Sequence, residues 1–289
     1  MRRAIFITIL ALFCGTTICT AQTPLTSTLP TAADTAKKKN SIGIAVKPVR
    51  IDFHLSKGEV AYQPIYITNN FSTTMQFKAK FMDWMRDSLG GHIYAEPGTL
   101  PRSCARWMSF NKDLIEIEPG KTGEILVRMK MPDNDSAVKE MKWCLVFVES
   151  VAENKAYKPS DSSRAHVRAI MRVGIHILQT PPSLADKKDI KMLSFSSVSG
   201  EKNKYRILAQ NTGETQLECK SYIELSSLAT GEKITVPALE FPLFPNQKRY
   251  MYFTLPDNLP KGKYTALGIV DAQEDDIALQ ASEAEIEIK

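Results

Sequence analysis

Residues 165–181 read AHVRAIMRVGIHILQTP. Val167, Ala169, Met171, Val173, Ile175 and Ile177 recur at every second position, and Arg168, Arg172 and His176 fall between them. A period of two places the apolar set on one face of a β-strand. The run is long beside an ordinary strand of about five or six residues. Such a strand has two possible fates. It closes its own sheet, with its apolar face in its own core, or it leaves an edge open. An open apolar edge is a template for pairing with another chain.

Strand-like runs continue on both sides of this stretch. Upstream, Ile44–Leu55, Gln63–Asn69, Met75–Trp84, Ala105–Phe110, Gly123–Met131 and Trp143–Ser150 alternate or carry β-branched and aromatic residues. Asn69-Asn70, Ser88-Leu89-Gly90-Gly91 and Glu118-Pro119-Gly120-Lys121 punctuate them as turns. With the strand of residues 165–181 this makes seven short strands, the signature of an antiparallel sandwich. Pro181-Pro182 ends the series. A second series follows: Met192–Val198, Lys204–Asn211, Lys220–Ser227, Glu232–Val236, Arg249–Leu255, Gly262–Asp271 and Ala278–Ile288. No long amphipathic helix interrupts either series. The expected fold is all-β: two immunoglobulin-like β-sandwiches in tandem, residues 41–182 and 183–289.

The first forty residues are of another kind. Arg2 and Arg3 precede an apolar run from Ala4 to Cys14, and Cys19-Thr20-Ala21 offers small residues for cleavage. Residues 1–21 therefore read as a signal peptide, too short in its apolar part to span a bilayer. A lipid-anchored cysteine is disfavoured, because neither Cys14 nor Cys19 follows the small residue that such processing prefers. Residues 22–40, rich in Thr, Ala, Pro and Lys, read as a flexible tail. The mature chain is expected to be exported and soluble, with no membrane span.

Composition excludes several functions. The formal charge of +5 comes largely from the leader and tail; residues 41–182 hold 19 basic and 15 acidic residues, and residues 183–289 hold 13 and 16. That balance gives no basic face for nucleic acid. There is no phosphate-binding glycine loop, no nucleophile elbow, and no Cys or His at metal spacing. His54, His92, His166 and His176 are dispersed. The chain is expected to be no enzyme and to need neither metal nor cofactor. Export permits disulfides. Of the three cysteines after the leader, Cys104 and Cys144 share a predicted domain and can bridge; all three can equally be small buried hydrophobes. Trp84, Trp107 and Trp143 fall in predicted strands as core anchors.

The ordered set of elements in residues 42–182 resembles the PapD-like superfamily of periplasmic pilus chaperones. Val46-Lys47-Pro48-Val49-Arg50-Ile51 is similar to the family's first strand with its arginine, and Ile65 to Asn70 to its second strand with a closing Asn. Pro119-Gly120-Lys121 followed by Ile125-Leu126-Val127-Arg128 is similar to a Pro-Gly turn and a strand ending in arginine. Residues 165–181 match the seventh strand. The second sandwich matches only in size and character.

The resemblance implies a non-enzymatic periplasmic chaperone or assembly factor. Its seventh strand would lend Val167, Ala169, Met171, Val173, Ile175 and Ile177 to an incomplete secreted or surface subunit of pilus type. It also implies two basic residues that hold the subunit's terminal carboxylate. Arg50 matches the first. The second, a lysine in the family, aligns with His176, and a neutral histidine gives up much of that attraction near pH 7. Arg172 lies on the same strand face as His176 but about 13 Å away at strand rise. The alternative is a structural or adhesive module of the cell envelope that binds peptidoglycan or a surface protein.

Overall fold

The computed structural model describes residues 43–151 and 170–289. The expected leader and tail, and Val167 and Ala169, lie outside these residues. Seventeen β-strands and three short 3-10 turns form the described chain, with no α-helix among them.

The first ten strands build one sandwich. They are β1 (Ile44–Lys47), β2 (Arg50–Phe53), β3 (Val60–Asn69), β4 (Met75–Arg86), β5 (His92–Ala95), β6 (Met108–Phe110), β7 (Leu114–Ile117), β8 (Thr122–Lys130), β9 (Lys142–Val151) and β10 (Arg172–Gln179). One sheet has the order β1-β3-β8-β6; the other has β2-β10-β9-β4-β5, with β7 also paired to β4. The alternation of the sequence sets the core. Ile65 and Ile67 of β3, Ile125 and Val127 of β8, Phe77 of β4 and Val146 of β9 meet in it without solvent exposure. Each such burial is worth roughly 1.5–3 kcal/mol.

The predicted first strand, residues 44–55, is two strands in two sheets. Pro48 has no N–H for a ladder, and the Lys47–Pro48 peptide is cis. There the chain leaves its antiparallel pairing with β3 and joins β10 in parallel. The predicted fourth strand, Ala105–Phe110, opens as a 3-10 turn over Ala105–Trp107 and is extended only from Met108.

The remaining strands build a second sandwich: β11 (Ile190–Ser197), β12 (Lys204–Asn211), β13 (Leu217–Ser227), β14 (Lys233–Leu243), β15 (Lys248–Thr254), β16 (Gly262–Asp271) and β17 (Gln280–Ile288). Its sheets have the orders β11-β12-β15 and β14-β13-β16-β17. β14 runs seven residues past the Val236 expected from sequence, through Pro237 and Pro242. It is an edge strand, where a missing N–H can face away from the ladder.

Both sandwiches lock one strand end in the same way. Asn69, at the end of β3, donates to the carbonyls of Thr73 and Ile117, both at 2.8 Å, and accepts from the Phe71 N–H. Asn211, at the end of β12, donates to the carbonyls of Thr215 and Leu243 at 2.8 Å and accepts from the Gly213 N–H. Gly120 donates its N–H to the Asn69 carbonyl, and Asn246 donates likewise to Asn211. Gly120 and Asn246 are both left-handed, with φ of 71° and 63°. Glycine or asparagine is what that conformation favours.

The sandwiches pack as parts of one compact unit. Phe244, just past β14, enters a cluster with Trp84, Trp143, Leu145 and Leu178 of the first sandwich. Its ring stands edge-on to Trp84 at 5.1 Å and tilted to Trp143 at 4.9 Å, separations at which aromatic pairs attract. The indole N–H groups of both tryptophans are satisfied, Trp84 by the Cys144 carbonyl and Trp143 by the Trp84 carbonyl. These two tryptophans anchor the domain junction.

Candidate functional site

Parallel pairing of β2 with β10 sets Arg50 directly opposite His176. The two residues that the resemblance singled out are thus neighbours, at the mouth of a cleft between the sandwiches. The cleft encloses about 150 Å³. Its walls on the first sandwich are Arg50, Trp84, Arg86 and His176; Gln216, Glu218 and Phe244 face them from the second.

Arg50 is held in place from two sides. Its Nε donates to both carboxylate oxygens of Asp52, at 3.0 and 2.9 Å, and its Nη1 donates to Glu218 Oε1 at 3.2 Å. Burial works against its charge, but the two carboxylates outweigh that and raise its pKa above the ordinary arginine value. The guanidinium is a fixed cation.

His176 is a different case. Burial, with the positive charges of His92, Arg86 and Arg50 adding to it, pushes its pKa down to about 4. It is neutral at pH 7. Its ring packs edge-on against Trp84 at 4.6 Å and lies 6.1 Å from His92, which stacks on Tyr94 at 5.9 Å. His176 therefore gives the cleft a polar aromatic wall and no charge.

Arg86 supplies the second cation, and sequence reading did not find it. It ends β4, two residues beyond Trp84 and on the same face of the strand. Its Nη1 donates to the Gly90 carbonyl at 3.1 Å, while its buried Nε has no acceptor among the described residues. Burial lowers its pKa, with Glu218 and Tyr94 opposing the shift; an arginine stays charged regardless. The only sequence signal was its placement two residues past a tryptophan at a strand end.

Arg172 does not join the cleft. It pairs with Glu149, its cross-strand neighbour on β9, and lies over the Phe147 ring at 4.6 Å. Lys80 reaches the same carboxylate at 2.9 Å.

The other half of the site is the edge of β10. Along its whole described length, Arg172 to Gln179, β10 pairs with β9 on one side. On the other side β2 pairs only with His176 to Gln179, and the Val49 carbonyl accepts the His176 N–H at 3.0 Å. Among the described residues, that edge carries no partner strand between Arg172 and Ile175. The side chains divide the same way. Ile175 and Ile177 are fully buried in the core of their own sandwich, so they are not free to enter a partner. Val173 is partly buried and Met171 is 38% exposed. Of the six residues expected to be lent to a partner, the described ones within reach are Met171 and Val173.

Cys104 and Cys144 are brought into contact, thiol to thiol, as two buried, unbridged cysteines. Burial first and Cys104 second raise the Cys144 thiol well above its ordinary pKa. Cys219 lies alone in the second core, pushed up to about 12 by burial. Among the described residues no three His, Cys, Asp or Glu side chains gather to hold a metal, and no helix is long and apolar enough to cross a membrane.

No protein-family model matches the chain, and no curated protein matches it. Solved structures do. A chain from the chaperone–tip adhesin complex of CFA/I fimbriae biogenesis is 11% identical, over 84% of this chain and 98% of its own, with a TM-score of 0.47. The class 5 fimbriae chaperone CfaA is 13% identical over 84% and 98%, with a TM-score of 0.45. A chain of the CsuC–CsuE chaperone–tip subunit complex from Acinetobacter baumannii is 12% identical over 85% and 97%, at 0.44. All three scores lie below 0.5.

Proposed function

We propose that this chain is an exported, non-enzymatic chaperone or assembly factor of PapD-like type. It captures a secreted or surface protein subunit by adding a strand to the open edge of β10. One observation carries this reading: among the described residues, β10 is sealed by β2 from His176 onward and open from Arg172 to Ile175. The open half ends beside a cleft holding two arginines.

Strand addition satisfies backbone groups that the edge leaves free, and register is then set by side chains. Met171 and Val173 offer apolar surface, and burying either fully contributes roughly 1.5–3 kcal/mol. Arg50 and Arg86 would receive the subunit's terminal carboxylate. At a partly exposed site that pair adds about 0–1 kcal/mol, so it fixes register more than affinity. Arg86 takes over the role that the missing lysine leaves open.

The test is crosslinked co-purification from the periplasm, with mass spectrometry of the captured chain. A recurrent secreted subunit is expected. Met171→Asp together with Val173→Asp should abolish capture. Because Val173 touches the core, Met171→Asp alone serves as the control that keeps the fold; it should cut recovery several-fold. Arg86→Gln should weaken capture by up to about fivefold. Undiminished capture by a folded Met171→Asp, Val173→Asp protein would overturn strand addition.

A further inference from the structure

Among the described residues Glu218 is the one carboxylate in the lining of the cleft, and it comes from the second sandwich. It lies on β13, two residues after Gln216 and on the same face. Gln216 Nε2 donates to Glu218 Oε1 at 2.6 Å, so the carboxylate is aimed. That same oxygen accepts from Arg50 Nη1 at 3.2 Å. Gln273 donates to the Glu218 carbonyl at 3.1 Å and steadies the backbone. Both side chains of the pair remain open to water, Arg50 at 43% and Glu218 at 60% exposure.

We infer that Glu218 is a built-in competitor: it occupies Arg50 while the cleft is empty and is displaced by the carboxylate of a captured chain end. The inference rests on the proposed function, since it concerns how the same cleft is filled. Asp52 holds Arg50 through Nε and leaves Nη1 to Glu218. A guest carboxylate exchanges like for like at Nη1, and Glu218 swings into the water it already faces. The guest therefore gains only the difference between two similar ion pairs. It also meets residual repulsion from the displaced Glu218. A neutral chain end has no charge with which to replace it. Because the Arg50–Glu218 contact ties the two sandwiches, displacement also loosens one tie across the cleft. Release of the guest is assisted in the same way, by an internal carboxylate waiting beside the site.

The test uses the full protein purified from the periplasm and a fluorescein-labelled peptide of alternating Val and Thr. The peptide is made with a free C-terminal carboxylate and as its amide. Fluorescence polarisation gives both affinities. Glu218→Gln should bind the acid about three- to fivefold tighter than the parent, the range of an exposed ion pair. Affinity for the amide should change less. Near-ultraviolet circular dichroism checks that the variant is folded. Unchanged or weaker binding of the acid by folded Glu218→Gln, while Met171→Asp still weakens binding several-fold, overturns the competitor and leaves strand addition standing. If neither peptide binds either protein, strand addition itself fails and the competitor with it.

Discussion

Asn69 and Asn211 are the same device in two sandwiches. Each is fully buried, ends a strand, and bonds two carbonyls at 2.8 Å through one amide nitrogen. Each also meets a turn whose left-handed residue returns a backbone N–H to it. The correspondence extends to sequence position, because Gly120 follows Pro119 and Asn246 follows Pro245. The two halves of the chain thus solve one problem identically, that of stopping a central strand without stranding its last polar groups in the core.

Asn69→Ala or Asn211→Ala should therefore be costly. Each leaves two carbonyls and one N–H without a partner, and a buried unsatisfied group costs about 1–3 kcal/mol. A loss of about 2–4 kcal/mol is expected in urea denaturation for either substitution. A loss near zero would mean that water reaches these groups and that the amide is dispensable.

The histidine in the cleft makes stability depend on pH. An unfolded histidine takes up its proton near 6.5, and His176 in the fold only near 4. Between those values the unfolded chain binds more protons, so stability falls as pH drops through that window. After discounting for partial exposure the contribution is on the order of 1–2 kcal/mol. Denaturation at pH 7, 5.5 and 4.5 should show a steeper decline for the parent than for His176→Gln. Superimposable pH curves would rule out the buried neutral imidazole.

The paired cysteines test the compartment. An exported chain meets oxidants, and Cys104 and Cys144 already touch. Maleimide labelling of unfolded protein taken from the periplasm should find one reactive thiol, Cys219. Reduction should then lower stability by about 3–4 kcal/mol, the scale for closing a loop of about 40 residues. Three labelled thiols would show that the pair stays reduced.

Most strands are legible in the sequence because burial alternates along them. Strand bounds depart from the sequence pattern where local pattern and pairing part company. Ile44–Leu55 alternates well enough to look continuous, but Pro48 hands the chain from one sheet to the other. His92–Ala95 and Leu114–Ile117 are each four residues long, the first mostly exposed and the second with only Ile117 buried, too short to show a period. β14 looked finished at Val236 because proline usually ends a strand, and an edge position is what lets it continue. In the candidate site, the ordered resemblance names Arg50 and His176, and the fold sets them side by side. The resemblance names neither Arg86 nor Glu218, because they reach the cleft from strands far apart in sequence, and no spacing records that meeting.

The half-sealed edge of β10 also dictates direction. β2 runs parallel to β10 and fills the seat beside His176 to Gln179. A guest in the open seat, four residues or about 13 Å long, must halt where Arg50 begins. Arginines there would attract a carboxylate and repel an amine, so a guest captured as proposed would arrive with its C-terminus leading. It lies head-on to β2, as a continuation of the same line and with the same polarity. On the proposed strand addition, β2 would be an end-stop, and the edge would work as a gauge that seats the ends of chains and turns away their middles.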